Sequence, residues 1–157
     1  MPDRSLPPYV LDRLEIEDLL IRYCTAIDEH DWELMATVFL PDALWDSTSV
    51  GGTAGAYRET RSVQAEQLDG LVMFHQLSNI AVSIEGERAT EKSYVSAQIG
   101  TPGPEGTTVL LTVGAWYHDR LVRTADGWRI AERIEEGRWT TSPPSCEFLV
   151  DVVPFGR

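Results

Sequence analysis

Apolar residues recur at Ile16, Leu19, Leu20, Tyr23 and Ile27, with spacings of 3, 4, 7 and 11 from the first. That is one stripe on an amphipathic helix, predicted from Asp12 to about residue 28. Asp12 and Glu15 have the spacing of a capping box at its start. Asp31 is placed to cap a second, short helix over 32–39, with Trp32, Met35 and Phe39 on one face and Pro41 ending it. A strand is expected over 43–49, then a glycine-rich loop at 51–55. A weaker third helix is expected over 58–69, with Val63, Gln67, Leu68 and Leu71 as its inner edge.

From Val72 onward the period changes from helical to strand-like. Strands are predicted over 72–84, 88–99, 109–123 and 128–136. They are separated by turns at Glu85-Gly86-Glu87 and Ala125-Asp126-Gly127 and by a loop at 101–107. The chain from Arg138 reads as irregular. Residues 1–10 read as an arm and 140–157 as a tail, on one domain spanning 1–157. Helices followed by a run of antiparallel strands make an α+β protein.

Composition narrows the function classes. With 13 Lys+Arg against 25 Asp+Glu, the net charge is −12 over 157 residues. A chain this acidic lacks the basic face that displaces counterions from nucleic acid, and it is repelled by anionic lipid. No apolar run reaches the ~18 residues of a membrane span, and the N-terminus carries no apolar signal core. Cys24 and Cys146 form no disulfide framework, so a cytoplasmic location is expected. Three histidines without helical i, i+4 spacing, and without a carboxylate cluster, argue against a metal site. The glycine loop lacks the lysine and strand–turn–helix setting of a phosphate loop.

Several segments together carry a resemblance. They are the opening 12–20, the stretch Arg22-Tyr-Cys-Thr-Ala-Ile-Asp28 through Trp32, and Phe39-Leu-Pro-Asp-Ala43. His75-Gln-Leu-Ser-Asn79 and the run 121–133 complete the set. These resemble the SnoaL-like family of the nuclear-transport-factor-2-like superfamily, in particular its scytalone dehydratase and hexachlorocyclohexane dehydrochlorinase branch. The resemblance implies a cone-shaped, curved antiparallel sheet wrapped by three helices around an apolar cavity. It also implies a homodimer or homotrimer and no cofactor.

By the same resemblance, Asp28 and His75 occupy the places of a catalytic carboxylate–histidine dyad. A histidine accepts protons near neutral pH, and a carboxylate on its other nitrogen fixes the tautomer. Tyr23, Asp46, Tyr94, Trp116, His118 and Arg123 are candidate substrate contacts. Trp116 and His118 share one strand face with Arg120, opposite Tyr117, Asp119 and Leu121. The resemblance places the Trp116/His118 face toward the pocket.

The chain departs from the pattern in two ways. Ile27 and Ser47 stand where the dehydratase has tyrosines. The dehydrochlorinase's Lys and Arg positions fall near Tyr23 and Arg123, so a halide-stabilising pair is half present. Asn79 is expected to brace the loop after His75, and His30 to be exposed. Trp128 is expected in the core, with Arg133 a salt-bridge partner. Trp139, Phe148 and Phe155 are candidate lid or docking residues.

The leading expectation is a cofactor-free lyase, isomerase or cyclase acting on a small apolar molecule. The alternatives are a module that binds such a molecule unchanged and a scaffold subunit.

Overall fold

A computed structural model describes residues 7–142 and 145–148. Helix α1 spans Pro8–Asp28 and buries Ile16, Leu19, Leu20, Tyr23, Ala26 and Ile27. Every member of the predicted stripe is therefore buried. The helix starts four residues earlier than the capping box implied. Pro7 is its N-cap and Pro8 its first residue, where a missing N–H costs nothing. Asp12 lies a turn inside, paired with Arg123. Helix α2 is only Trp32–Met35, and Asp31 caps it by accepting from the Leu34 N–H at 2.8 Å. Helix α3 is Tyr57–Leu68. It buries Tyr57 and Thr60, whereas Val63 is exposed; Gln67, although exposed too, lines the cavity described below together with Leu68.

Seven strands form one sheet: β1 Phe39–Asp46, β2 Ala54–Ala56, β3 Val72–Glu85, β4 Arg88–Pro102, β5 Thr108–Thr124, β6 Gly127–Ser142 and β7 Ser145–Phe148. The order is β2-β1-β6-β5-β4-β3, with β7 beside the end of β6. All pairings are antiparallel except β1 with β6, which is parallel. The architecture is the expected α+β one, a curved sheet with the helices packed in its hollow.

Pro41 does not end a helix. It sits in β1 where the register with β6 shifts between Phe39 and Leu44, so its missing N–H breaks no ladder bond. The stretch from Arg138 is also regular: β6 runs on to Ser142, pairing with β5 and then with β7. Irregularities in β3 at Ser78/Ala81 and in β5 at Gly114/Ala115 and Arg120/Leu121 bend the long strands. Asn79, at the first of these, takes a left-handed φ of 52° inside the strand rather than bracing a loop.

Alternation along the sheet decides what faces the helices. Ala89, Glu91, Ser93, Val95 and Ala97 of β4 are buried, as are Ala115, Tyr117, Asp119 and Leu121 of β5. Trp128, Ile130, Arg133 and Glu135 of β6 are buried as well. The inner layer is thus apolar at its ends and charged at its centre. No described helix is long and apolar enough to cross a membrane.

Candidate active site

The last turn of α1 delivers Asp28 to the edge strand β3. There the carboxylate takes two bonds from one residue: His75 Nδ1 at 2.6 Å on Oδ1, and the His75 backbone N–H at 2.9 Å on Oδ2. With both oxygens as acceptors, Nδ1 carries the shared proton, so in the neutral ring Nε2 is the nitrogen with the lone pair. The pair is mostly shielded, with side-chain exposures of 9% for His75 and 20% for Asp28. Apolar packing of Ile27 and Ala26 seats the helix end, and Tyr23 one turn back meets the His75 ring edge-on at 6.3 Å.

His75 separates two hollows. Outside it, a groove between α1 and β3 is lined by Ile21, Cys24, Asp28, Phe74 and Ile80. Inside it lies a cavity of about 270 Å³, lined by Ile27, Trp45, Ser47, Val50, Leu68, Met73, Ile99 and Glu135 together with His75. Asp28 lines only the outer groove. Of the pair, His75 alone reaches the cavity, and its Nδ1 is taken up by Asp28.

The cavity wall opposite β3 comes from β1, β6 and the loop after β1. Ser49 Oγ donates to the Glu135 carbonyl and accepts from the Gly137 N–H at 2.8 Å, which pins that loop to β6. Ser47 Oγ bridges to Thr53, donating to its carbonyl at 3.0 Å and accepting from its N–H at 3.1 Å. Gly52 makes this possible: a Cβ there would lie 2.1 Å from Ser47 Oγ.

Glu135 was not anticipated from sequence. It is nine-tenths buried, and its Oε1 accepts from Trp45 Nε1 at 2.8 Å. Burial raises its pKa above the usual carboxylate value, against the pull of Arg133 and the Trp45 bond. The available signal was strand alternation, which puts residue 135 on the same face as Arg133.

Beneath the cavity lies a charged core. Arg133 is fully buried and bidentate with Asp119, at 2.8 and 2.6 Å. Its guanidinium lies 4.1 and 4.2 Å from the Tyr23 and Tyr117 ring centres. Burial alone would favour the neutral form, but the Asp119 pair outweighs it and holds the proton more tightly than in water. Glu91 stands opposite Asp119 in the β4–β5 register, and neither of its oxygens has a donor among the described residues. Burial first, then the Asp119 charge, raises its pKa to about 8. Burial also pushes the Tyr23 and Tyr117 hydroxyls upward, so both stay neutral phenols.

Of the expected contacts, only Tyr23 adjoins the pair, and it packs in the core without lining the cavity. Asp46 turns away: its Oδ1 accepts from the Thr48 N–H at 3.0 Å and hydroxyl at 2.7 Å. Trp116 and His118 were expected toward the pocket, yet they face outward. The apolar alternate set, Ala115, Tyr117 and Leu121, takes the inner face instead.

On the outer face Tyr94 lies 5.4 Å from Trp116, and Lys92 and Arg138 sit over the Trp116 ring. His118 Nε2 meets Glu136 at 2.9 Å. Arg123 is held at the far end by Asp12, Glu87 and the Trp128 ring, so no halide-stabilising pair assembles with Tyr23. His30 is half-buried and stacked on Trp32, not exposed.

Trp139 lies against Gly114 of β5, where a Cβ would meet its ring at 2.1 Å, and it does not line the cavity. Phe155 lies outside the described residues, and only the backbone of Phe148, in β7, is described. Ile27 and Ser47, at the tyrosine positions of the dehydratase pattern, do line the cavity. Among the described residues no group of three or more His, Cys, Asp or Glu side chains converges on a metal position.

The SnoaL-like domain family matches residues 8–134. An uncharacterised protein of Mycobacterium tuberculosis, Rv2910c, is 35% identical over 127 residues, covering 80% of this chain and 85% of that protein. The crystal structure of the Kfla4162 protein from Kribbella flavida superposes with a TM-score of 0.78 at 24% identity, covering 85% and 95% of the two chains. A type 2 hexachlorocyclohexane dehydrochlorinase gives a TM-score of 0.71 at 17% identity, covering 94% and 99%. At these identities the structural likeness shows the fold.

Proposed function

The chain belongs to the SnoaL-like domain family, and from that premise we propose that it is a lyase or isomerase in which His75, oriented by Asp28, removes a carbon-bound proton from a small apolar molecule. The observation that carries this reading is the double grip of Asp28 on His75, whose side chain also lines a largely apolar cavity. The carboxylate makes Nε2 the basic atom and stabilises the imidazolium that forms. The mostly apolar lining strengthens that electrostatic help.

The chemistry needs side chains only. Positioned base catalysis contributes about 10²–10⁴-fold, and orientation in the cavity adds to it. At about 270 Å³ the cavity suits a single-ring or short-chain substrate better than a fused polycycle. The name of the dehydrochlorinase neighbour fits elimination chemistry on such a molecule. We place the enzyme in the cytoplasm as a homodimer or homotrimer. Its contact surface would be the outer sheet face, where Tyr94 and Ile134 are exposed.

The test uses 5-nitro-1,2-benzisoxazole, a small carbon acid that opens to a cyanophenolate when a base takes its ring proton. The wild type should accelerate this opening over solution base. His75→Ala and Asp28→Asn should each lower kcat/KM by ~10²-fold or more while far-UV circular dichroism stays unchanged. Unchanged turnover in both variants contradicts the proposal.

A further inference from the structure

The reading of His75 as base, on which this inference rests, leaves one ionisable group of the cavity without a task. Glu135 projects from β6, and His75 from β3, into the same cavity. Two strands, β5 and β4, separate them in the sheet, so only its curvature brings them to facing walls. A sphere of the cavity's volume is roughly 8 Å across, so one small ring can touch both walls. Trp45 Nε1 fixes Oε1 of Glu135, and no hydrogen bond to Oε2 is formed among the described residues. A nine-tenths-buried carboxyl thus presents one unpartnered oxygen beside the proposed base.

We infer that Glu135 is the acid of this site, delivering a proton to an oxygen leaving group of the substrate as His75 removes the carbon-bound proton. The substrate class is then a small hydroxy or alkoxy compound with an acidic C–H next to the C–O bond. His75 Nε2 takes the proton, and the C–H electron pair becomes the new double bond. The C–O bond breaks with its pair going to oxygen. The Glu135 proton joins that oxygen, which leaves as water or an alcohol. The site is left with an imidazolium and a carboxylate, and transfer of the proton from His75 to Glu135 across the emptied cavity restores both.

The electrostatics support this order of events. Burial raises the hold of Glu135 on its proton, whereas positive charge on His75 lowers it. Gaining a proton at one wall therefore eases release at the other. Arg133, one strand position away on the same face and paired to Asp119, keeps the carboxylate product from being an isolated buried charge. Tyr23 and Tyr117 face the same region as neutral phenols. Chloride departs without a proton and hydroxide does not, so an acid here points to oxygen leaving groups. The absence of an assembled Tyr23–Arg123 pair agrees with that.

The test compares two benzisoxazoles in the wild type, Glu135→Gln and His75→Ala. The 5-nitro compound releases a stable phenoxide that gains little from an acid; unsubstituted 1,2-benzisoxazole releases a more basic one that gains more. Glu135→Gln keeps an acceptor for Trp45 and loses the acid. It should lower kcat/KM for the unsubstituted compound by ~10²-fold and for the nitro compound by less than ~3-fold. Equal losses on both, or none, overturn the inference while leaving the base intact.

Failure of the wild type to turn over either compound, or an unaltered rate in His75→Ala, overturns the base and this inference with it. A second measurement needs no turnover. In protein labelled with ¹³Cδ-glutamate, the resonance that disappears in Glu135→Gln should remain that of a protonated carboxyl at pH 5.5, where exposed glutamates have ionised. An ionised Glu135 at that pH overturns the inference by itself.

Discussion

Replacing Glu91 by Gln should make the protein more stable at high pH, although it removes a charged residue beside an arginine. Glu91 is 3% exposed, stands opposite Asp119, and has no donor to either oxygen among the described residues. Its carboxyl holds a proton until about pH 8, because burial and the Asp119 charge both oppose ionisation. In the unfolded chain the same group ionises near its ordinary 4.5.

Between those values the folded state binds more protons than the unfolded one, so stability falls as pH rises. The favourable contribution is complete below pH 4.5 and is gone above about 8. Each pH unit crossed removes at most about 1.4 kcal/mol, so the full span is worth on the order of a few kcal/mol. Gln has nearly the same shape and does not titrate. The assay is urea denaturation at pH 5, 7 and 9. The difference in stability between Glu91→Gln and the wild type should grow steadily in the variant's favour. Taking the difference cancels Glu135, whose raised pKa acts with the same sign. A difference that does not change with pH refutes the reasoning.

Asp119→Ala strands the Arg133 guanidinium in the core and should cost about 3–5 kcal/mol in urea titrations, far more than any surface pair. Gly52→Ala forces Ser47 from its two bonds to Thr53 and should cost about 1–3 kcal/mol, read as a lowered denaturation midpoint. Asp31→Ala removes the cap of α2 and should cost about 1 kcal/mol by the same titration. The Cys24 thiol, pushed to about 11 by burial, should alkylate with iodoacetamide at pH 8 far more slowly than glutathione does, measured in a Cys146→Ser background.

Periodicity made the helices and long strands legible. The α1 stripe is buried throughout, and the turns at Gly86 and Gly127 fall where they were read, both with positive φ. The errors share a cause, which is that local sequence does not say which partner satisfies a backbone. Pro41 looked like a helix stop because its neighbour β6 lies some ninety residues away, and the register shift there spares its N–H. Arg138 to Ser142 looked irregular because polar side chains hid a ladder on both edges.

Facing was the second difficulty. Alternation separated Trp116 and His118 from Tyr117 and Asp119, but resemblance chose the wrong set as inner. The apolar members Ala115 and Leu121 decide the matter physically. Asp28 and His75 are 47 residues apart, and only the resemblance linked them before the hydrogen bonds were seen. Glu135 and Glu91 were invisible because a buried acid and a solvated one look alike in one dimension. Cross-strand register puts Glu91 opposite Asp119, and alternation along β6 puts Glu135 on the face of Arg133.

The central claim is that Asp28 holds His75 with its proton on Nδ1, which leaves Nε2 as the basic nitrogen. Long-range ¹H–¹⁵N correlation spectra of the histidine side chains, recorded above the histidine titration range, report that state directly. With His75 assigned by its loss in His75→Ala, the account predicts a protonated Nδ1 and an unprotonated Nε2, with that preference lost in Asp28→Asn. A proton fixed on Nε2, or the same spectrum in Asp28→Asn, contradicts it.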